Sequence, residues 1–127
     1  MTKKFIHPPQ GPKAVGPYSP AVSANGFVFI SGQIPLDPAT NELVLDSFAA
    51  QARQTLENLK NVTEAAGCQL DDIVKVSIFL DSIDHFSELN AIYEEYFGES
   101  KPARSCVEVA RLPKGVAVEI EAIAVVR

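Results

Sequence analysis

The stretch ARSCVEVARLPKGVAVEIEAIAVV, residues 103–126, decides the fold because it contains two strand patterns and the turn sequence between them. Residues on the two faces alternate over 103–109 and again over 116–126, as in strands of a sheet. Leu-Pro-Lys-Gly at 112–115 has the composition of a turn. The stretch therefore predicts two antiparallel strands that are neighbours in a hairpin.

The two faces of the final predicted strand differ in polarity. One face is wholly apolar and suits packing against helices: Val116, Val118, Ile120, Ala122 and Ala124. The other face mixes carboxylates with aliphatic residues: Ala117, Glu119, Glu121, Ile123 and Val125. A solvated face rarely carries such branched aliphatic residues, and a monomer core would not carry two carboxylates. We therefore predict an oligomer interface with polar groups set into it.

Further strands are predicted upstream. Residues 21–23 and 27–34 flank Asn25-Gly26, a dipeptide whose two positive-φ positions suit a tight type I′ hairpin. Residues 72–80 predict a strand that is largely covered on both faces. Prolines at positions 8, 9, 12, 17 and 20 predict a fixed, extended lead-in to the first hairpin.

Two amphipathic helices are predicted between these strands, at about 47–66 and 84–97, from apolar residues at three- and four-residue spacing. Their limits come from capping residues: Ser47 and Gly67 for the first helix, Asp84 and Gly98 for the second. The order β-β-α-β-α-β-β then predicts one two-layer α+β domain over residues 1–127. Two helices can cover only one face of its sheet.

Composition excludes several classes of protein. A chain of 127 residues buries about two thirds of its surface on folding, which supports one core. The net charge of −5 disfavours nucleic-acid binding by bulk charge. The longest apolar run, the five residues 122–126, is far shorter than the ~20 that span a membrane. No apolar stretch follows Lys3 and Lys4 as in a signal peptide, so we expect a cytoplasmic protein.

A charged group accompanies the two final strands: Arg104, Glu108, Glu119 and Glu121 around the thiol of Cys106. Cross-strand ion pairs are one interpretation. The alternative is that Arg104, at a strand entrance, holds a carboxylate ligand with two hydrogen bonds. The residues alone leave both interpretations open.

Metal and cofactor chemistry have no support in the sequence. His7 and His85 are too few for a histidine-rich metal site, and no glycine-rich loop precedes a helix as in nucleotide-binding proteins. We expect neither a metal nor a cofactor. Cys68 and Cys106 are too few for a disulfide framework and are expected to be free thiols.

Four blocks in this order resemble the RidA family, also called YjgF/YER057c/UK114: GPYSPAV at 16–22, ISGQIPLDP at 30–38, AAQARQTLENL at 49–59 and PARSCVEVARLPKGVAVEIEAIA at 102–124. The resemblance implies a chorismate-mutase-like α+β fold with two helices on one face of a β-sheet. It also implies a homotrimer with active sites between subunits. The expected activity is hydrolysis of 2-enamine and 2-imine acids, such as 2-aminoacrylate, to 2-keto acids and ammonia, without a cofactor.

The resemblance also implies roles for single residues. Arg104 matches the arginine that clamps the substrate carboxylate, and Glu119 the carboxylate that holds or activates water. Cys106 matches a position whose backbone helps to place substrate and water. Tyr18 matches a tyrosine of the pocket. The expected substrate-binding residues are Ser31 and Gly32 on the pocket floor and Phe86 and Asn90 on its wall. For Tyr18 and Phe86, the alternative to a role in the site is a role in packing. For Ser31, the alternative is a hydrogen bond between its side chain and the backbone.

Two rival functions remain open at this point. Some relatives are described as endoribonucleases or translation inhibitors, although the negative charge and the lack of a catalytic histidine pair argue against RNA cleavage. The other rival is a module that binds a keto acid in the same cleft without turnover. The expected partner is a small imino or keto acid, and neither a membrane nor a nucleic acid is expected.

Overall fold

The computed structural model describes residues 2–9 and 16–127. Within that part, eight strands and two helices occur in the order β1 (Lys4–Ile6), β2 (Ala21–Ala24), β3 (Phe27–Gln33), β4 (Leu36–Asp37), β5 (Glu42–Leu43), α1 (Phe48–Ala65), β6 (Ile73–Leu80), α2 (Phe86–Phe97), β7 (Ala103–Glu108) and β8 (Val118–Val125). Short 3-10 turns occur at Leu70–Asp72, Ile83–His85 and Pro113–Gly115. The predicted lead-in falls partly on residues 10–15, which lie outside the described residues.

Six strands form one sheet in the order β1-β2-β3-β8-β6-β7. All of its pairings are antiparallel except that of β6 with β7, which is parallel. The short strands β4 and β5 form a separate two-stranded ribbon. The mixed α+β class predicted from the sequence is therefore confirmed.

The predicted hairpin between the last two strands is wrong, because β6 lies between β7 and β8. The helix α2 connects β6 to β7, and a connection through a helix brings the second strand back parallel to the first. The chain then crosses the end of β6, where the Val109 amide donates to the Leu80 carbonyl and the Asp81 amide to the Ala117 carbonyl. The turn at Pro113–Gly115 is real, but it belongs to this crossing.

The first hairpin is confirmed. Asn25 and Gly26 have φ of 54° and 82°, as the left-handed positions of a type I′ turn require, and Ala24 pairs with Phe27 across it. The strand β1 extends this hairpin by pairing with β2. The sequence analysis did not predict β1, because this strand has only three residues, Lys4–Ile6, and lies directly before the proline-rich segment.

The first helix matches its prediction, and the second matches except at its beginning. The Ser47 hydroxyl accepts a hydrogen bond from the Ala50 amide at 3.1 Å, and Gly67 follows the helix with φ of 83°. Asp84 does not cap α2. Instead Ser82 accepts from the Asp84 amide, and a 3-10 turn precedes the helix.

Both helices lie on one face of the sheet. The core is formed by Leu56, Leu59 and Val62 of α1, Leu89, Tyr93 and Phe97 of α2, and the inward side chains of β3, β6 and β8. The prediction that β6 is covered on both faces is wrong. Its Lys75, Ser77 and Phe79 are partly exposed, and Val74 is 45% exposed where the register with β8 shifts.

Cys68 and Cys106 are free thiols, as expected. No helix in residues 2–9 and 16–127 combines the length and the apolar character needed to cross a bilayer.

Loss of the Ser47 cap is expected to destabilise the chain. Ser47→Ala removes the acceptor for the Ala50 amide, so the free energy of unfolding should fall by about 1 kcal/mol. Urea unfolding at one protein concentration measures it. Ser87→Ala, an exposed position inside α2, is the control and should change the value by less than about 0.5 kcal/mol. Equal midpoints for the two variants would contradict the capping role.

Candidate active site

The predicted charged group does not assemble within one chain. Arg104 pairs with Val76 and Cys106 with Ile78, so both share the sheet face that the helices cover. Glu119 pairs with Phe79 on β6 and lies on the opposite, uncovered face. The expected cluster around Cys106 is therefore corrected to two clusters, one on each face.

The first cluster surrounds Arg104 and is here called the arginine cluster: Phe86, Asn90, Tyr93, Arg104 and Cys106. Nη1 of Arg104 donates to Oδ1 of Asn90 at 2.6 Å. The guanidinium carbon lies 5.5 Å from the ring centroid of Phe86 and 4.8 Å from that of Tyr93. These distances are in the range of cation–π contact. Three consecutive turns of α2 therefore hold the guanidinium.

Tyr93 belongs to this cluster although the sequence patterns did not identify it as a site residue. It is 8% exposed, and its hydroxyl has no hydrogen-bond partner among the described residues. Burial raises the pKa of Tyr93 to about 12, partly offset by the charge of Arg104. The signal that could have identified it is its spacing, since Phe86, Asn90 and Tyr93 follow one another at i, i+4 and i+7 on one helix face.

Arg104 takes part in no ion pair within the described part of the chain. The ion pairs found there are Arg53–Glu95 and Arg127–Asp72, and Nε2 of His85 lies 3.6 Å from Oδ1 of Asp81. Glu108, a predicted partner for a cross-strand pair, instead accepts from the backbone amide of Ile83 at 2.9 Å. The positive charge of Arg104 is therefore available to an anionic ligand.

The thiol of Cys106 is partly buried against the core beside Arg104. Burial raises the pKa of this thiol, and the nearby charge of Arg104 offsets the effect only in part. A thiol with a raised pKa is neutral at pH 7 and is a weak nucleophile. Its environment therefore favours a geometric role over thiolate catalysis.

The second cluster lies on the side of the sheet that the helices leave uncovered and is here called the glutamate cluster: Ser31, Gly32 and Glu119, together with Tyr18 in the loop that Ser31 holds. The register between β3 and β8 shifts between Ile30 and Gln33, which places a bulge at Ser31 and Gly32. A Cβ added to Gly32 would lie 2.5 Å from Oε2 of Glu119. A side chain at position 32 would therefore displace the Glu119 carboxylate from this place.

The environment of Glu119 favours its protonated form. Partial burial raises the pKa of this carboxyl, and the neighbouring charge of Glu121 raises it further. A carboxylate with a raised pKa is a stronger base once it is ionised. The position therefore suits a group that accepts a proton from water.

Ser31 fastens the loop that carries Tyr18. Its hydroxyl donates to the Ser19 carbonyl at 2.6 Å, and its amide donates to the Pro20 carbonyl at 2.9 Å. The alternative that Ser31 pairs with backbone is thus what the structure shows. Tyr18 itself is 54% exposed. The hydrogen bonds of Ser31 hold the loop that contains Tyr18 beside the end of β3, where Gly32 contacts Glu119.

Fold and clusters together define a small α+β protein with a candidate site for a small anion. A protein-family model described as Endoribonuclease L-PSP matches residues 9–126. A RutC family protein of Pyrococcus horikoshii is 53% identical over 122 residues, which cover 96% of this chain and 97% of that protein. A 2-iminobutanoate/2-iminopropanoate deaminase of Salmonella typhimurium is 51% identical over 127 residues, which cover 98% of each chain.

A solved structure agrees with these relatives. The crystal structure of E. coli TdcF with bound serine matches with a TM-score of 0.91 and 45% identity, and the match covers 98% of this chain and 99% of that one. The chain belongs to the endoribonuclease L-PSP family, and the predicted membership of the RidA family is confirmed.

Removal of the neighbouring charge should lower the pKa of Glu119. In Glu121→Gln the like charge is lost while burial is kept, so the carboxyl should ionise at lower pH than in the wild type. An NMR titration of the side-chain carboxyl carbon measures this pKa. Glu94→Gln, an exposed position on α2, is the matched control and should leave it unchanged. Identical titration curves in Glu121→Gln and wild type would contradict the coupling.

Proposed function

We propose that this chain is an enzyme that hydrolyses 2-enamine and 2-imine acids, such as 2-aminoacrylate and 2-iminopropanoate, to 2-keto acids and ammonia. The observation that carries the proposal is the guanidinium of Arg104, held by neutral groups and unpaired in the described part of the chain. Each substrate has one carboxylate, which a guanidinium holds with two parallel hydrogen bonds. Two relatives add support, since one is named as such a deaminase and the other binds serine, which also has a carboxylate.

The reaction needs little beyond orientation and one proton-transfer group. The enamine tautomerises to the imine, and water adds to the carbon of the C=N bond. The carbinolamine then expels ammonia and leaves the keto group, so one water is consumed for each ammonia released. Arg104 fixes the carboxylate end, and Glu119 carries both protons of the water to the nitrogen, one as the water attacks and the other from the carbinolamine hydroxyl as ammonia leaves.

The other members of the two clusters shape the cleft in this proposal. The backbone at Cys106 places substrate and water, while Tyr18 hydrogen-bonds the water or the leaving nitrogen. Ser31 and Gly32 form the floor, where the absent side chain of Gly32 leaves room for Glu119. Phe86 forms the wall. No step requires a thiolate, in agreement with the raised pKa of Cys106.

The two clusters can act together only across an interface between copies of the chain. Within one copy they lie on opposite faces, and β6 separates β7 from β8, which puts the latter strands about 10 Å apart. The uncovered face also exposes large apolar residues: Phe5, Phe27, Phe29, Val107 and Val125. Such a patch marks an interaction surface. We propose a homotrimer in which the arginine cluster of one copy faces the glutamate cluster of the next.

Removal of the guanidinium should abolish most of the activity. Arg104→Ala is expected to lower kcat/KM by about a hundredfold or more, because the substrate carboxylate loses its charge-assisted hydrogen bonds. Arg104→Lys should recover part of the loss, since it restores the charge without the bidentate fork. The measurement is ammonia and keto-acid release above the spontaneous rate, with the imine generated by a serine or threonine dehydratase.

Arg111→Ala is the control, because Arg111 is exposed and outside both clusters. It should keep wild-type activity, and all variants should keep the wild-type mass in light scattering. Full activity of Arg104→Ala would refute the assignment of the site. Binding of pyruvate by the wild type without ammonia release would instead favour a keto-acid-binding module.

Glu119 should affect turnover more than binding. Glu119→Gln keeps the size of the side chain and removes the base, so kcat should fall about tenfold or more. The Kd for pyruvate should stay within about twofold, because Arg104 makes the carboxylate contact. Gly32→Ala should reproduce this pattern, since its Cβ displaces the same carboxylate. Equal losses in turnover and pyruvate binding would count against the proposed handling of water.

RNA cleavage is a second candidate because the matching family model is described as an endoribonuclease. RNA cleavage commonly uses a pair of catalytic histidines, and neither cluster contains a histidine. In the described part of the chain, the ring of His85 stacks on Phe48 at 4.1 Å, outside both clusters. The net charge of −5 also opposes binding to a phosphate backbone. Cleavage of RNA by purified protein that disappears in Arg104→Ala would support this candidate against the deaminase.

A further inference from the structure

The groups that hold Arg104 are all neutral. Oδ1 of the Asn90 amide accepts from the guanidinium at 2.6 Å, and the rings of Phe86 and Tyr93 lie against it at 5.5 and 4.8 Å. A partly buried arginine is commonly paired with a carboxylate, which neutralises it. At this position the chain has an amide, which has nearly the same size and shape as the aspartate carboxylate but no charge.

This arrangement fixes the orientation of the guanidinium. The group is planar, with five N–H donors in a rigid fork, so one short hydrogen bond and two aromatic contacts restrict both its position and its plane. The bond to Asn90 uses Nη1, which leaves donors on the other nitrogens for a ligand. An oriented guanidinium with its full charge binds a carboxylate at lower entropic cost than a mobile one.

We infer that Asn90 is a positioning residue that orients Arg104 through a neutral acceptor and so makes the site selective for carboxylates over uncharged analogues. The inference rests on the proposed function and deepens it. Asn90 was expected on the pocket wall as a substrate contact, whereas its amide oxygen is engaged by Arg104. Its effect on the ligand is therefore transmitted through the guanidinium.

The decisive variant is Asn90→Asp, which keeps the size and the acceptor but adds a negative charge beside Arg104. The internal ion pair should neutralise the guanidinium, so the Kd for pyruvate should rise about tenfold or more. The Kd for pyruvamide, the uncharged analogue, should stay within about twofold. Isothermal titration calorimetry measures both ligands, and the change in their ratio is a readout that a purely structural role of Asn90 would not move.

Ala91→Asp is the matched control. Ala91 is the next residue of α2 and is exposed, so the same charge is added on the same helix turn but in solvent. Screening there should limit the change in the Kd for pyruvate to about twofold. If the Kd for pyruvate rose as much in Ala91→Asp as in Asn90→Asp, the inference would be overturned, because the effect of the added charge would not depend on contact with Arg104.

Asn90→Leu tests the orienting role separately, because it removes the acceptor without adding a charge. It should weaken pyruvate binding by about threefold or more, and less than Asn90→Asp. This variant also keeps the inference falsifiable where Asn90→Asp fails to fold. Wild-type affinity for pyruvate in either variant would overturn it, as would a wild-type protein that does not bind pyruvate.

The test separates this inference from the proposed function. A wild type that releases ammonia from the imine, together with an Asn90→Asp variant of wild-type affinity, contradicts the inference alone. A wild type that binds pyruvate selectively but leaves the imine unhydrolysed contradicts the proposed function alone.

Discussion

The parallel pairing of β7 with β6 is the constraint on which the arrangement of the candidate site depends. It places Arg104 opposite Val76 and Cys106 opposite Ile78, so both side chains lie on the face that α2 covers. Because side chains alternate along a strand, a shift of one residue in this register would turn Arg104 to the uncovered face. It would then lose its contacts with Asn90 and both aromatic rings. The sheet face on which the guanidinium lies thus follows from backbone pairing, and the contacts from α2 then hold it there.

Sequence patterns predicted the features of the fold that depend on a few neighbouring residues. The hairpin at Asn25-Gly26 and the Ser47 cap are of this kind, because their geometry follows from local backbone conformation and one hydrogen bond. The neighbour of β8 could not be predicted in this way. A turn sequence between two strand patterns is compatible with a hairpin and also with a crossing over a third strand. Which of them forms depends on the path of α2, a long-range feature that no short pattern contains.

The candidate site shows the same division. Resemblance to family motifs named Arg104, Asn90, Ser31 and Glu119, but it did not reveal which group each residue contacts. The structure pairs Asn90 with the guanidinium and Ser31 with the loop backbone. The sequence did not indicate Tyr93 as a site residue, because core packing alone explains a buried aromatic residue at helical spacing. Only the position of β7 over the same face of α2 gives its ring a second role.

The separation of Arg104 from Glu119 has a physical consequence for function. If the two side chains were adjacent on one face, they would form an internal ion pair, which would lower the pKa of Glu119 and occupy the donors of Arg104. On opposite faces, each remains in its own environment. Burial and Glu121 raise the pKa of the Glu119 carboxyl, while Asn90 holds the guanidinium without neutralising it. A guanidinium and a carboxyl group can therefore coexist unpaired in one small chain, and in the proposed assembly they approach each other only across the interface between two copies.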